Sequence, residues 1–178
     1  MHMPTIKLQN FPALFIGRFQ PFHQGHLDAL VQICAIEKAA GRDSGVIIGI
    51  GSAQYSRLPE NPFTAEERTR MIVAALAENP EIWERVKKII PLPDVHEDTA
   101  WVAHAEKLLP SFGAVYTGSP EVKKLFDAAG THEVKTLVMR KQISATEVRR
   151  RIKKGKNLEE LVPVAVAKIL KEINISLS

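Results

Sequence analysis

Short apolar runs and longer helical patterns alternate along this chain. The apolar runs are typical of buried strands and cover 12–16, 46–51, 86–92, 113–117 and 133–139. Apolar residues at helical spacing fill the segments at about 25–40, 65–78, 101–109, 121–129, 145–155 and 158–173. Parallel strands need crossover connections, which helices usually supply. The pattern predicts an α/β fold: a Rossmann-like, doubly wound, mainly parallel five-stranded sheet with a C-terminal helical extension.

Local signals set several helix ends. Thr64 with Glu67, and Ser144 with Glu147, have the spacing of a capping box, so each pair predicts a helix start. Asn79-Pro80 is expected to break the helix that begins after Thr64. Pro163 predicts an interruption or kink in the last helix.

Composition narrows the class of protein. With 178 residues, 45% hydrophobic and 25% charged, the chain fits one globular domain over 1–178. A formal charge of +4 suits phosphate-bearing small molecules as well as nucleic acid. Cys34 is the single cysteine, so an intrachain disulfide is excluded and a reducing, cytoplasmic setting is expected. No apolar run is long enough for a membrane span, and the start Met-His-Met-Pro is unlike a signal peptide.

The first candidate site is the stretch from Gly17 to His26, between the first predicted strand and helix. His23 and His26 lie three residues apart at the helix start, Arg18 precedes them, and Gly25 lets a ligand approach the backbone. An anion is favoured there by the helix dipole, by unpaired backbone N–H groups and by imidazole donors. An ordinary capping and packing pair is the simplest alternative. A zinc site is not expected, because no further ligands stand at suitable spacing.

The chain lacks two common catalytic sequences. Neither a P-loop Gly-Lys-Ser/Thr nor a Gly-x-Ser-x-Gly nucleophile elbow is present. The remaining chemistry needs no covalent catalyst: a substrate phosphate can attack the α-phosphorus of a nucleoside triphosphate and release pyrophosphate. The protein would then align reactants and neutralise charge, with Mg²⁺ on the triphosphate.

A second candidate site opens the helix at Ser144. Taken alone, this segment is an ordinary capped helix with a basic, solvated face. The hydroxyls of Ser144 and Thr146 and the guanidinium of Arg149 could equally hold the β- and γ-phosphates.

Three motifs in order carry a resemblance. They are Gly-Arg-Phe-Gln-Pro-Phe-His-Gln-Gly-His at 17–26, the loop Gly-Ser-Ala-Gln at 51–54 through Asn-Pro-Phe-Thr at 61–64 with Glu-Arg at 67–68, and Ile-Ser-x-Thr-x-x-Arg at 143–149. Together they resemble the archaeal-type nicotinamide mononucleotide (NMN) adenylyltransferases of the H-x-G-H nucleotidyltransferase superfamily. The resemblance covers about 12–155, leaving 156–178 as a helical segment. It implies the nucleotidyltransferase fold and transfer of the adenylyl group of ATP to NMN.

The resemblance also implies roles for residues of this sequence. The residues implied in catalysis are His23, His26 and Arg18. Those implied in binding ATP are Gly17, Phe19, Gly25, Gly118, Arg140, Ser144, Thr146 and Arg149. Those implied in binding NMN are Ser52, Asn61, Phe63, Arg68, Asp94 and Trp101. No protein metal site is implied. For Trp101, the alternative is an aromatic side chain that only fills the core. For Arg68, the alternative is a charge on the helix surface.

Two positions depart from the family pattern. Asp98 stands where an amide is often found, which bears on contacts with the carboxamide. Ser119 follows Gly118 where asparagine is often found, which bears on contacts with adenine.

Other functions remain open on the sequence alone. They are nucleotidyl transfer to another phosphorylated acceptor, of flavin or pantetheine phosphate type, and a nucleotide-binding regulator without turnover. A nucleic-acid module is not expected, because the basic run 149–156 has no interleaved aromatic residues. The expected partners are the small molecules ATP and NMN. No membrane association is expected, and the chain is expected to form a homo-oligomer.

Overall fold

The computed structural model describes residues 11–138 and 140–173 as alternating strands and helices. The strands are β1 (Ala13–Gly17), β2 (Val46–Ile50), β3 (Val86–Pro91), β4 (Val115–Thr117) and β5 (Val134–Lys135). The helices are α1 (Gln24–Ala39), α2 (Ala65–Ala77), α3 (Pro80–Trp83), α4 (Asp98–Leu108), α5 (Pro120–Ala129), α6 (Ala145–Lys153) and α7 (Val164–Ile173).

The five strands form one parallel sheet in the order β3-β2-β1-β4-β5. The chain builds outward from β1 through β2 to β3, then returns to place β4 on the other side of β1. In open α/β sheets, ligands bind beyond the carboxyl ends of the strands, where the order reverses. The predicted five-stranded parallel fold is therefore confirmed, and it directs attention to the loop after β1.

Side chains of the inner strands alternate between two apolar layers. Phe15 of β1 and Ile48 of β2 belong to the layer that includes α1, α2 and α7. Leu14 and Ile16 of β1 point to the opposite layer, with α4 and α5. Burial on both faces explains why the strands are continuous apolar runs, and each fully buried side chain contributes about 1.5–3 kcal/mol of transfer free energy.

One predicted capping box forms completely and the other does not. Thr64 accepts the N–H of Glu67 on its Oγ1 at 3.1 Å, and its own N–H donates to the Glu67 carboxylate at 2.9 Å. Ser144 accepts the N–H of Glu147 at 3.1 Å. The Glu147 carboxylate instead binds the guanidinium groups of the two arginines that follow Arg149. Ion pairing within α6 thus competes with the second half of the box.

The break predicted at Asn79-Pro80 is confirmed, because α2 ends at Ala77. Pro80 also begins the four-residue α3, which was not predicted and where its fixed φ suits a first helical turn. Other predicted boundaries are wrong. Helix α4 begins at Asp98, three residues before the predicted start at 101. The last helix begins only after Pro163, and 158–162 form turns.

The predicted strand 133–139 is also too long. Only Val134–Lys135 pairs with β4, and Val138 beyond it is 72% exposed. The predicted end at Met139 lies outside the described residues. In the described part of the chain, no helix has the length and apolar character needed to cross a membrane.

Candidate active site

The loop from β1 to α1 is compact and buried. Phe19 has a left-handed φ of 52° and a buried ring, and the bond from Gln20 to Pro21 is cis. The Phe19 ring packs against Gly17, where a Cβ would lie 2.9 Å from it. Gly17 is therefore required by close packing at the point where the chain leaves the sheet.

His23 and His26 form a reciprocal cap on α1. The Nδ1 atom of His23 accepts the N–H of Gly25 at 3.1 Å, and the Nδ1 atom of His26 accepts the N–H of His23 at 3.1 Å. An imidazole that accepts on Nδ1 carries its proton on Nε2 when neutral. Both rings therefore offer an Nε2–H donor.

The two imidazoles are held in the neutral form. Burial lowers the pKa of His23 to about 4. Burial, followed by the charge of His23, lowers the pKa of His26 well below its ordinary value. Their rings stack with centroids 3.6 Å apart, so a charge on one opposes a charge on the other. Near neutral pH the pair donates hydrogen bonds without carrying positive charge.

The backbone N–H groups of the first turn are not left free, contrary to the expectation from sequence. The Gln24 N–H donates to the carbonyl of Leu161 at 2.8 Å, and the N–H groups of His26 and Leu27 reach the carbonyl of His23 at 2.9 and 3.2 Å. The Gly25 N–H is used by the His23 ring. An anion at this helix start would meet imidazole donors rather than bare amides.

A cavity of about 980 Å³ follows the carboxyl edge of the sheet. Gly17, Arg18, Phe19, His23 and His26 line it beside β1. The wall after β2 and β3 is formed by Gly51, Ser52, Asp94, Val95, Asp98 and Trp101. The wall after β4 and β5 includes Thr117, Gly118, Ser119, Pro120, Glu121, Thr136 and Leu137. The cavity is wide enough for a ligand that spans the point where the strand order reverses.

Asp94 is the centre of one end of the cavity. Its carboxylate accepts the hydroxyl of Ser52 at 2.7 Å and the indole N–H of Trp101 at 3.3 Å. The side-chain amide of Gln54 donates to the Asp94 carbonyl at 3.1 Å and accepts the Asp94 N–H at 2.9 Å. Sequence reasoning did not give Gln54 a role, although it stands in the second motif. The amide pair fixes the backbone that carries the carboxylate.

Trp101 belongs to the core and to the cavity at once. It is 6% exposed and meets Phe126 edge to face with centroids 6.0 Å apart. It also lines the cavity beside Asp94 and Asp98. The indole therefore fills the core against Phe126 and also forms part of the cavity wall, so core filling does not exclude the predicted ligand contact.

Arg68 lies beneath the cavity with 0% exposure, so its interpretation as a helix-surface charge is wrong. Its guanidinium donates to the carbonyls of Arg18 and Gly51 at 2.8 Å each, and to those of Ser52 and Thr64 at 3.2 Å each. Burial lowers its pKa to about 10. A planar guanidinium can satisfy several carbonyls together, so Arg68 fixes the loops that form the cavity floor.

Arg149 of α6 reaches back to the first motif. Its Nη1 donates to the carbonyl of Gln20 at 2.9 Å and its Nη2 to the hydroxyl of Thr146 at 3.2 Å. Burial lowers the pKa of Arg149, and the side chain lines the cavity. Arg18 is half exposed and lies 4.0 Å from the Glu60 carboxylate. Two arginines from distant parts of the chain thus line the same cavity as the histidine pair.

Some predicted site residues lie outside the cavity wall that the described residues form. They are Gly25, Asn61, Phe63, Arg68, Arg140, Ser144 and Thr146. Gly25 packs on the His23 ring, where a Cβ would lie 3.0 Å away. The Oδ1 atom of Asn61 is buried without a hydrogen-bond partner among the described residues. Arg140 is exposed.

Comparison with known proteins places this architecture in a family. The cytidylyltransferase-like family model matches residues 14–151. A nicotinamide-nucleotide adenylyltransferase of Thermococcus kodakarensis is 44% identical over 161 residues, which are 90% of this chain and 82% of that protein. The chain belongs to the nicotinamide-nucleotide adenylyltransferase family. The family assignment agrees with the resemblance carried by the three motifs.

Further relatives agree with the family assignment. The nicotinamide-nucleotide adenylyltransferase of Archaeoglobus fulgidus is 42% identical over 165 residues, 91% of each chain. Among solved structures, a bifunctional NMN adenylyltransferase/ADP ribose pyrophosphatase of Francisella tularensis, in complex with AMP and a Mn ion, superposes with a TM-score of 0.70 at 24% identity. The match covers 94% of this chain and 50% of that one, and it supports the fold.

Proposed function

We propose that this protein transfers the adenylyl group of ATP to NMN, giving NAD⁺ and pyrophosphate. The observation that carries the proposal is a single cavity that joins two neutral imidazole donors to an end built from Asp94 and Trp101. Its volume of about 980 Å³ suits a dinucleotide product.

The reaction we infer is a direct in-line displacement. A phosphate oxygen of NMN forms a bond to the α-phosphorus of ATP, while the bond from that phosphorus to the bridging oxygen of pyrophosphate breaks. The attacking oxygen is already an anion, so no protein nucleophile is needed. The protein aligns the two substrates and stabilises the charge that develops on the phosphates.

The histidine pair is assigned to the reacting phosphates. The Nε2–H groups of His23 and His26 donate to phosphate oxygens, and the Nδ1 contacts with the backbone hold both rings in that tautomer. Arg18 and Arg149 supply the positive charge that the neutral imidazoles lack. Ser144, Thr146 and Arg140 are proposed to reach the triphosphate tail from the start of α6.

The end of the cavity with Trp101 is assigned to the nicotinamide ring. The ring of NMN is a pyridinium cation, and a cation over an indole face gains about 0.5–2 kcal/mol. Asp94 adds negative charge and fixes the indole through its N–H at 3.3 Å. Ser52 and Asn61 are proposed to contact the rest of the mononucleotide. Phe63 and Arg68 act from beneath by shaping the loop.

Mg²⁺ is proposed to enter with ATP. Among residues 11–138 and 140–173, no group of three or more His, Cys, Asp or Glu side chains could hold a metal ion. Mg²⁺ is usually held by substrate phosphates, waters and one or two carboxylates. When bound, it neutralises charge on the leaving pyrophosphate. Removal with EDTA is expected to abolish turnover, and added Mg²⁺ to restore it.

The deciding experiment offers ATP with NMN to the purified protein and measures NAD⁺ and pyrophosphate in equal amounts. Parallel reactions with flavin mononucleotide and with 4′-phosphopantetheine test the other acceptors. Turnover of either of these, with none of NMN, would overturn the proposal. Binding of ATP without any turnover would instead identify a nucleotide-binding regulator.

We also propose a homo-oligomer in the cytoplasm. Val31 and Ile36 on α1 and Trp83 on α3 are exposed apolar side chains, which supports an interface between copies. The single Cys34 suits a reducing compartment. Light scattering on a gel-filtration column tests the oligomeric state, and a monomer throughout the micromolar range would contradict it.

A further inference from the structure

Gln20 makes an unusual pair of hydrogen bonds for a loop side chain. Its Oε1 accepts the N–H of Phe63 at 2.9 Å, and its Nε2 donates to the carbonyl of the same residue at 3.0 Å. The amide side chain thus pairs with one residue of distant backbone much as a strand would. Gln20 is 1% exposed, so both bonds are shielded from water.

The main chain of Gln20 is held as well. Its carbonyl accepts the Nη1 of Arg149 at 2.9 Å, in a contact that is also buried. Two residues earlier, the carbonyl of Arg18 accepts the Nη1 of Arg68 at 2.8 Å. One residue therefore connects the histidine loop, the segment before α2 and helix α6.

We propose that Gln20 is a positioning residue. It sets the distance between the arginine and histidine side chains proposed to bind phosphate and the loop 52–63. The inference rests on the proposed function and deepens it by naming what aligns the ATP side of the cavity with the NMN side. Gln20 lines the cavity, but its side chain is 1% exposed and its Oε1 and Nε2 both bind the backbone of Phe63, so we assign it to positioning through Phe63 and Arg149 rather than to a substrate contact. When two bound reactants must be aligned, a displacement of about 1 Å can lower the reaction rate about 100-fold.

The test uses the chemistry of a carboxyl group. In Gln20→Glu, a protonated carboxyl keeps both bonds to Phe63, with one oxygen accepting and the O–H donating. An ionised carboxylate loses the donor and repels the Phe63 carbonyl. Burial is expected to raise the pKa of the introduced carboxyl to about 6–9. As pH rises through this pKa, the two substrates in the variant should therefore change from aligned to misaligned. This change falls within the pH range in which the parent is assayed.

The quantity to compare is the ratio of kcat for Gln20→Glu to kcat for the parent, at saturating ATP and NMN. At pH 5.5 the two kcat values should agree within about threefold. At pH 8.5 the ratio should be lower by about 10–100-fold. Gln20→Met, which can neither donate nor accept strongly, should show the same loss at every pH. A ratio for Gln20→Glu that does not change with pH, or a Gln20→Met variant with the kcat of the parent, would overturn the proposal.

A matched control separates alignment from general destabilisation. Gln32 on α1 is also a buried glutamine, whose Nε2 donates to the carbonyl of Val138 at 2.9 Å. Gln32→Glu should lower the melting temperature while leaving the kcat ratio flat with pH. All variants are assayed below their melting temperatures. If Gln20→Met does not fold, Gln20→Glu, stored and assayed from low pH upward, still decides the matter.

Two readouts need no turnover, so the failure of this proposal and of the proposed function can be told apart. Hydrogen exchange of the Phe63 amide should quicken at least about tenfold in Gln20→Met, while that of Met71 inside α2 stays unchanged. The affinity for ATP, measured by calorimetry, should fall because the main-chain carbonyl of residue 20, which accepts from Arg149, is no longer held in place by the side-chain bonds to Phe63. If the parent makes no NAD⁺, the proposed function fails. Unchanged Phe63 exchange, with unchanged ATP affinity, overturns the role of Gln20.

Discussion

The stacked rings of His23 and His26 each use Nδ1 to accept a backbone N–H, so the two side chains that we propose as donors to phosphate also form the cap of α1. Protonation of either Nδ1 breaks a cap bond, and protonation of both places two cations face to face. The proposed catalytic groups are therefore also pH-sensitive stability groups.

This arrangement gives stability a defined pH dependence. The folded-state pKa of His23, about 4, lies below the unfolded value of about 6.5, so the unfolded chain binds more protons between these limits. The free energy of unfolding should fall as pH drops from about 6.5 toward 4, by up to about 3 kcal/mol for His23. It should be independent of this group above pH 7.

Urea unfolding at half-unit pH steps measures that slope. His23→Ala should reduce it between pH 6.5 and 5, where carboxylates contribute little, and leave the contribution of His26. His96→Ala, at an exposed position, should leave it unchanged. An equal slope in the His23→Ala variant would show that other groups set the acid limit.

His26→Ala should act on rate more than on binding. The hydrogen bond from its Nε2 strengthens as charge develops on the reacting phosphates, so kcat should fall about 100–1,000-fold with a smaller change in KM. Steady-state kinetics with each substrate varied in turn measures the split. An unchanged kcat, with a lowered melting temperature, would mean that the ring serves only the cap.

Trp101 needs a substitution that keeps the core filled. Trp101→Leu retains apolar contact with Phe126 but removes the indole face, so KM for NMN should rise about 2–30-fold from the loss of about 0.5–2 kcal/mol. KM for ATP should stay within about twofold. Phe112→Leu, at a buried aromatic residue that also packs on Phe126 but lies outside the cavity wall, is the control. Equal increases for both substrates would point to a folding defect instead.

Asp98 is expected to select the uncharged carboxamide. Its carboxylate is exposed on the cavity wall near Asp94 and Trp101, so a nicotinate carboxylate in the same place would be repelled. Asp98→Asn should raise kcat/KM for the deamido mononucleotide about 3–10-fold, with NMN little affected. Glu97→Gln, next in the chain and outside the wall, should change neither. If Asp98→Asn does not alter the ratio of kcat/KM for the deamido mononucleotide to kcat/KM for NMN, this role is contradicted.

The sheet and most helices could be predicted because their signals are local. A fully buried strand such as β2 is apolar throughout, and a capping box such as that of Thr64 needs only four residues. The last strand was overestimated because β5 is an edge, where pairing can end after two residues without any change in sequence pattern.

The candidate site was predictable in its residue types but not in its connections. Motif spacing indicated His23, whereas Trp101 was implied only by the family resemblance. The bonds from Gln20 to Phe63 and from Arg68 to Arg18 span 43 and 50 residues, so no local spacing reveals them. Burial of Arg68 could not be inferred either, because a charged residue on an amphipathic helix is usually exposed.

The hydrogen bond from the Gln24 N–H to the carbonyl of Leu161 has a consequence for design. The first turn of α1 is completed by a segment that lies nearly at the other end of the described chain. A graft of the stretch 17–26 onto another strand-turn-helix scaffold would carry the histidines but leave their supports behind. The recipient would need a carbonyl in the place of Leu161, a guanidinium in the place of Arg68 and an extended backbone for Gln20 to pair with. The sequence 17–26 can thus be transferred to another protein, whereas a functional site requires the rest of the domain.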